Sequence, residues 1–196
     1  MDKDQACEML AAALAMEDKG KAFYEKSARG CELEECRRIF ERLAADEDLH
    51  KIRIQKIHDS LSADLGWCEW RDLGDPTPGL EKFMATAITK LGRDLSPNSK
   101  DVKALDVGIE MEAASIKYYS RQRDLFHTRR VKQFLAQLVQ EEIVHYRALK
   151  DMKFYLEDPA GWAAEHPGCP ILNADINADR AMDAADIEPF FRLLGV

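Results

Sequence analysis

The sequence predicts an all-α protein: a four-helix bundle of two duplicated helical hairpins joined by a long crossover, followed by a short C-terminal helical tail. Three observations lead there. Glu17, Glu47 and His50 recur as Glu112, Glu142 and His145, each 95 positions later, and Leu10 with Leu105, Met16 with Met111, Tyr24 with Tyr119 and Leu43 with Leu138 repeat at the same offset. In both halves apolar residues return at steps of three and four, the period of a helix with one buried stripe. Each half is also broken by a few residues near its middle, too few for anything but an antiparallel hairpin.

The first helix is expected from Ala6 to Ala28 through Leu10, Ala13, Leu14, Phe23 and Tyr24, and Gly30 stops it. The second runs from about Leu33 to Leu61 through Ile39, Phe40, Leu43, Leu49, Ile52, Ile54 and Ile57. Between residues 62 and 99 the composition shifts to Gly66, Trp67, Trp70, Gly74, Pro76, Pro78, Gly79 and Pro97, which marks the crossover, with a short helical stretch near Leu80 to Leu91. Helical period resumes from roughly Lys100 to Leu125, breaks at Phe126-His127-Thr128, and continues from Arg130 to about Leu156. Asp158-Pro159 then closes the bundle, since proline cannot continue a helix's hydrogen-bond ladder. The domains are therefore the bundle, residues 1–158, and a C-terminal extension, residues 159–196.

Glu17 and Glu47 are 30 residues apart around the first turn, as are Glu112 and Glu142 around the second. At ~1.5 Å rise per residue each lies ~20 Å from its turn, so the members of each pair face one another. Docking two such hairpins brings Glu17, Glu47, His50, Glu112, Glu142 and His145 to one level of the bundle. Glu47 with His50, and Glu142 with His145, are one helical turn apart and share a face. Carboxylate oxygen combined with imidazole nitrogen suits iron, manganese or zinc, and carboxylates can bridge two ions. One Glu from each of two helices and Glu-x-x-His from each of the others is the ligand pattern of di-metal bundles. Burying four carboxylates without cations would be prohibitive.

Ala15-Met16-Glu17 followed by Phe23-Tyr24, then Glu47-Asp48-Leu49-His50, Met111-Glu112 followed by Tyr118-Tyr119, and Glu142-Ile143-Val144-His145 resemble the rubrerythrin branch of the ferritin-like superfamily over about residues 5–157. The resemblance implies a ferritin-like fold, two iron ions with manganese as an alternative occupant, and a di-iron oxidoreductase that reduces hydrogen peroxide. Many rubrerythrins carry a further metal-binding Glu one turn after the third-helix Glu; this chain has Ser115 there. The ligand set therefore looks more like the four-Glu, two-His centres of bacterioferritin type, and the alternative function is a ferroxidase or iron-binding protein using the same residues. Members with a fused rubredoxin carry two Cys-x-x-Cys pairs, and this chain has none. Electrons would come from an external donor such as a rubredoxin-like protein. A homodimer is the assembly that the resemblance implies.

Tyr24 and Tyr119 follow Glu17 and Glu112 by seven residues, two turns along the same face, where a phenol can hydrogen-bond a ligand carboxylate or simply pack. Asp46 and Glu141 also repeat, but a rotation of ~100° per residue turns them from the ligand face, so they are expected to be bundle-surface or interface charges. His58, His127 and His166 have no repeat partners and are expected to be solvated. A formal charge of -8 with dispersed Lys and Arg argues against a nucleic-acid partner. Acidic residues interrupt the first apolar run, which argues against a secretory segment or membrane span and for a cytoplasmic protein. Five cysteines, an odd number, fit a reducing compartment and are read as packing or near-surface thiols.

The extension reads differently. Asp175, Asn177, Asp179, Ala181 through its carbonyl, Asp183 and Asp186 occupy positions 1, 3, 5, 7, 9 and 12 of a calcium-type loop, residues 175–186. The segment resembles one dockerin-type EF-hand half, although Arg180 stands where the turn normally has Gly. Its other reading is an acidic tail helix capped by Asp183 or Asp186, docking Phe190 and Phe191 on the bundle or a partner.

Overall fold

The computed structural model describes residues 3–68 and 99–165, with Leu80, Phe83 and Ala87 of the segment between them. Among these residues the chain is all helical: α1 Lys3–Gly30, α2 Glu34–Ser62, α3 Ser99–Leu125, α4 Arg129–Glu157 and α5 Pro159–Glu165. The first four agree with the helices expected from periodicity to within a few residues at their ends.

Gly30 ends α1, and α2 begins three residues beyond Cys31. The intervening turn is tied to the other hairpin, because the Asp101 carboxylate, in the first turn of α3, accepts the backbone N–H groups of Glu32 at 3.4 Å and Leu33 at 3.3 Å. Each hairpin packs more extensively within itself than against the other, with α1 meeting α3 and α2 meeting α4. Tyr24 bonds Glu112 while Tyr119 bonds Glu17, so α1 and α3 run antiparallel and the two hairpins are related by an internal pseudo-two-fold.

Among the described residues the core is two apolar clusters. One gathers Tyr24, Phe40, Leu43, Leu105, Leu149 and Tyr155. The other gathers Leu10, Ile54, Ile57, Tyr119, Phe134 and Leu138. The polar layer of glutamates and histidines belongs to neither, and one of the two buried tyrosines reaches it from each cluster. Leu80, Phe83 and Ala87 of the crossover are helical, and Leu80 and Ala87 join the first cluster.

Asp158-Pro159 ends α4, and it also starts α5. Asp158 accepts the Gly161 N–H at 2.8 Å through its side chain, and Pro159 occupies the first helical position, where its missing N–H costs nothing. Trp162 of α5 is fully buried, packs edge-on to Tyr155 with centroids 5.3 Å apart, and donates its Nε1–H to Asp151 at 2.9 Å. The calcium-type loop at Asp175, Asn177, Asp179, Ala181, Asp183 and Asp186 lies outside the described residues, as do His166 and Cys169.

Candidate metal centre

α1 and α3 each bring one glutamate to the polar layer, Glu17 and Glu112. α2 and α4 each bring a Glu-x-x-His pair, Glu47 with His50 and Glu142 with His145. None of the six is more than 4% exposed. Their ligand atoms form two overlapping groups: Glu17, Glu47, His50 and Glu142, and Glu47, Glu112, Glu142 and His145, each with its atoms within 4.8 Å of one another. Glu47 and Glu142 belong to both groups. A carboxylate has two oxygens to divide between two ions, so two neighbouring positions could each be held by their own Glu and His, with Glu47 and Glu142 available to both.

Glu142 shows the division directly. Its Oε1 is 3.4 Å from His50 Nδ1 and its Oε2 is 3.5 Å from His145 Nδ1. His50 Nδ1 also lies 3.1 Å from Glu17 Oε2 and 3.4 Å from Glu47 Oε2, and His145 Nδ1 lies 3.5 Å from Glu112 Oε1. The two imidazoles stack with centroids 5.5 Å apart.

Each histidine turns Nδ1 to the centre and Nε2 outward, where Asp46 and Glu141 stand. Of the expected bundle-surface or interface positions, the surface is ruled out: both sit at the contact between α2 and α4, facing the histidines. The ~100° step that takes them off their own helix's ligand face aims them across the α2–α4 contact at the histidine of the opposite hairpin. His50 Nε2 is 2.7 Å from Glu141 Oε2, and His145 Nε2 is 3.7 Å from Asp46 Oδ2. Such outer carboxylates fix a ligand histidine's tautomer and orientation. Glu141 is in turn held by Arg53 Nη1, at 3.0 and 2.9 Å to its two oxygens, and by Gln137 at 2.8 Å, whereas Asp46 accepts Arg42 Nε at 3.2 Å.

Tyr24 and Tyr119 are both buried, and each phenol donates to the terminal glutamate of the other hairpin, Tyr24 to Glu112 and Tyr119 to Glu17. They shape the ligands from outside. Gly20, one turn after Glu17, leaves room for a bridging side chain, since a Cβ there would stand 3.2 Å from Glu47 Cδ and Oε1. His127 is exposed and His58 half-buried, with its Nδ1 3.5 Å from Asp59; neither enters the centre.

Without cations this layer is frustrated. Burial, then the Glu17 carboxylate, raises Glu47 well above the usual carboxylate range. Burial, then Glu142, raises Glu112 to about 8. Burial opposes charge on His50 and His145, but Glu142 and Glu17 around the first, and Glu112 and Asp46 around the second, raise both well above 6.5. Burial would raise Glu142 too, yet the two histidines hold it well below its ordinary value. Protons do not complete the cluster: both oxygens of Glu142 and Nδ1 of His145 are buried with no hydrogen-bond partner. Divalent cations would satisfy these atoms, and the donor set fits them.

A cavity of about 120 Å³ reaches the centre between α1 and α3, lined by Glu17, Glu47, Glu112, Tyr24, Gly20, Met16, Met111, Lys19, Ala114 and Ser115. Lys19 and Ala114 are exposed. Apart from the ligands themselves the lining contains no carboxylate, and its one charged group is a cation.

The rubrerythrin family model matches residues 8–153. No curated protein and no solved structure matches the chain. The match spans well over half of the sequence and takes in the six buried glutamates and histidines of the polar layer, so the chain belongs to the rubrerythrin family of ferritin-like di-iron proteins.

Proposed function

We propose that this protein is a di-iron peroxidase that reduces hydrogen peroxide to water with electrons from an external protein donor. The observation that carries this reading is the cavity, which leads to a centre with two shared carboxylates through a lining with no acidic groups beyond the ligands. A neutral molecule a few water volumes in size passes such a lining, whereas Lys19 opposes the entry of Fe(II) that iron storage requires. Family membership supports the di-iron chemistry.

Glu17 with His50, and Glu112 with His145, would hold one iron each, with Glu47 and Glu142 bridging. Two bound irons would supply the two electrons that, with two protons, convert one peroxide to two waters, and an external donor would restore those electrons. The chain's own groups do the rest. Tyr24 and Tyr119 stay protonated, because burial and then the neighbouring carboxylates raise both phenols, so each keeps donating to a terminal glutamate. Met16 and Met111 line the approach with apolar side chains. The Nε2 partners Glu141 and Asp46 keep the imidazoles oriented.

The test is anaerobic stopped-flow of Fe(II)-loaded protein mixed separately with peroxide and with dioxygen, following diferric absorbance. Much faster oxidation by peroxide, with repeated turnover when a reductant is supplied, is expected. Preferential reaction with dioxygen, with uptake continuing beyond two irons per chain, would instead establish a ferroxidase.

A further inference from the structure

A second group of ligating side chains lies among the described residues, away from the six ligands. Cys31 follows the end of α1, Cys36 sits in the first turn of α2, and Asp101 in the first turn of α3. Their sulfur and oxygen atoms all lie within 4.8 Å of one another, the same limit that defines each half of the di-metal centre. Cys36 is 0%, Asp101 1% and Cys31 7% exposed. Leu33, Val102 and Leu105, neighbours of the three in sequence, belong to the same apolar cluster as both cysteines.

The Asp101 carboxylate is poorly compensated there. The hydrogen bonds it accepts from the turn are long, 3.4 and 3.3 Å, and a charge in apolar surroundings calls for a closer partner. Cys36 is shaped by the same environment: the hydrogen bond with Cys31, then burial, then the charges of Cys31 and Asp101 push its thiol far up. A divalent cation bound by all three displaces the two thiol protons, so the cluster keeps a single net negative charge, but each anionic ligand atom then meets a cation at coordination distance.

We propose that Cys31, Cys36 and Asp101 form a second, mononuclear metal site for a thiolate-preferring divalent ion of the zinc class. Two sulfurs with one oxygen select such an ion over the oxygen-preferring cations. Two sulfurs on a tetrahedral zinc stand roughly 3.8 Å apart, so a contraction of no more than about 1 Å closes the site, with water in the fourth position. Its ligands come from the end of α1, the start of α2 and the start of α3. An ion there clamps the turn of the first hairpin to the point where the crossover rejoins the bundle. It needs none of the six di-metal ligands and no redox change.

The test uses the full chain, metal-free, reduced with a phosphine, and titrated anaerobically with cobalt(II). A sulfur-to-cobalt charge-transfer band with the intensity of one sulfur-bound cobalt per chain is expected, whatever cobalt the polar layer also takes up, bleached by zinc(II), retained in Glu142→Ala and lost in both Cys31→Ser and Cys36→Ser. No such band at saturating cobalt, or a band that survives in both serine variants, would overturn the site. Should the serine variants fail to fold, the wild-type protein supplies the answer through alkylation mapped by mass spectrometry. Zinc must slow labelling of both Cys31 and Cys36, and unchanged labelling of either refutes the proposal.

Discussion

Arg53 breaks the symmetry of the centre. The 95-residue repeat pairs Arg42 with Gln137, and each bonds the carboxylate four residues on, but Arg53 has Ala148 as its counterpart. Only Glu141 thus receives a buried, two-oxygen guanidinium contact, and only His50 has a short Nε2 contact, 2.7 Å against 3.7 Å for His145. The position at Glu17 and His50 is accordingly better organised and is expected to fill first. Arg53→Met should cost about 3 kcal/mol by taking from Glu141 its two-oxygen guanidinium contact and leaving it only Gln137 and His50. It should also weaken the tighter of two unequal binding steps by about tenfold to a hundredfold. Denaturant melts and anaerobic Mn(II) calorimetry read the two effects, and equal wild-type steps or an unchanged tight step would sink the idea. Tyr119→Phe removes the donor to a buried oxygen of Glu17 and should destabilise the fold by about 2 kcal/mol in the same melts. That these six side chains meet in one layer was legible in the sequence because their spacing repeats. Asp46 and Glu141 carry the same repeat, but reasoning along one helix turns them outward, and only the antiparallel α2–α4 contact shows which histidine they meet.

At the level of elements, α1 carries a conflict between its own stability and the centre. Gly20 sits mid-helix, where alanine would favour the helix by about 1 kcal/mol. Its missing Cβ is the space beside the Glu47 carboxylate, at 3.2 Å. In the metal-free protein that carboxylate can swing aside; as a bridge it cannot. Gly20→Ala is therefore expected to leave metal-free thermal stability equal or higher while metal affinity falls, read by melting with and without Mn(II). Unchanged metal affinity would mean that Gly20 does not set the bridge. Helix periods, Gly30 and the break before Arg129 made the four long helices readable to within a few residues. α5 was harder, because Asp-Pro reads equally as the end of one helix and the N-cap and first residue of the next, and the burial of Trp162 decides it.

Across the described residues both apolar clusters draw on the two hairpins, and the polar layer is the part of that seam that titrates, so what occupies the layer sets the pH dependence of the fold's stability. In the metal-free protein Glu112 is raised to about 8 from 4.5, and Glu47, His50 and His145 are raised as well. Folding then takes up protons that the unfolded chain has lost, so this stability is full below the unfolded pKa values and disappears as pH rises through the folded ones. Glu142, Asp46 and Glu141 are lowered, and their contribution is lost in the opposite direction, on acidification below about 4.5. Between about pH 6 and pH 8.5 the first set governs, and the metal-free protein should lose on the order of 2 kcal/mol, or roughly 4–8 °C in Tm. Bound divalent ions take the place of those protons and bind better as the ligands deprotonate, so Tm of the loaded protein should stay level or rise over the same range. Calorimetric scans of both forms across that interval decide the matter: a metal-free Tm that holds or climbs with pH would mean that the buried carboxylates do not hold their protons in the fold, and that something other than cation binding relieves the polar layer.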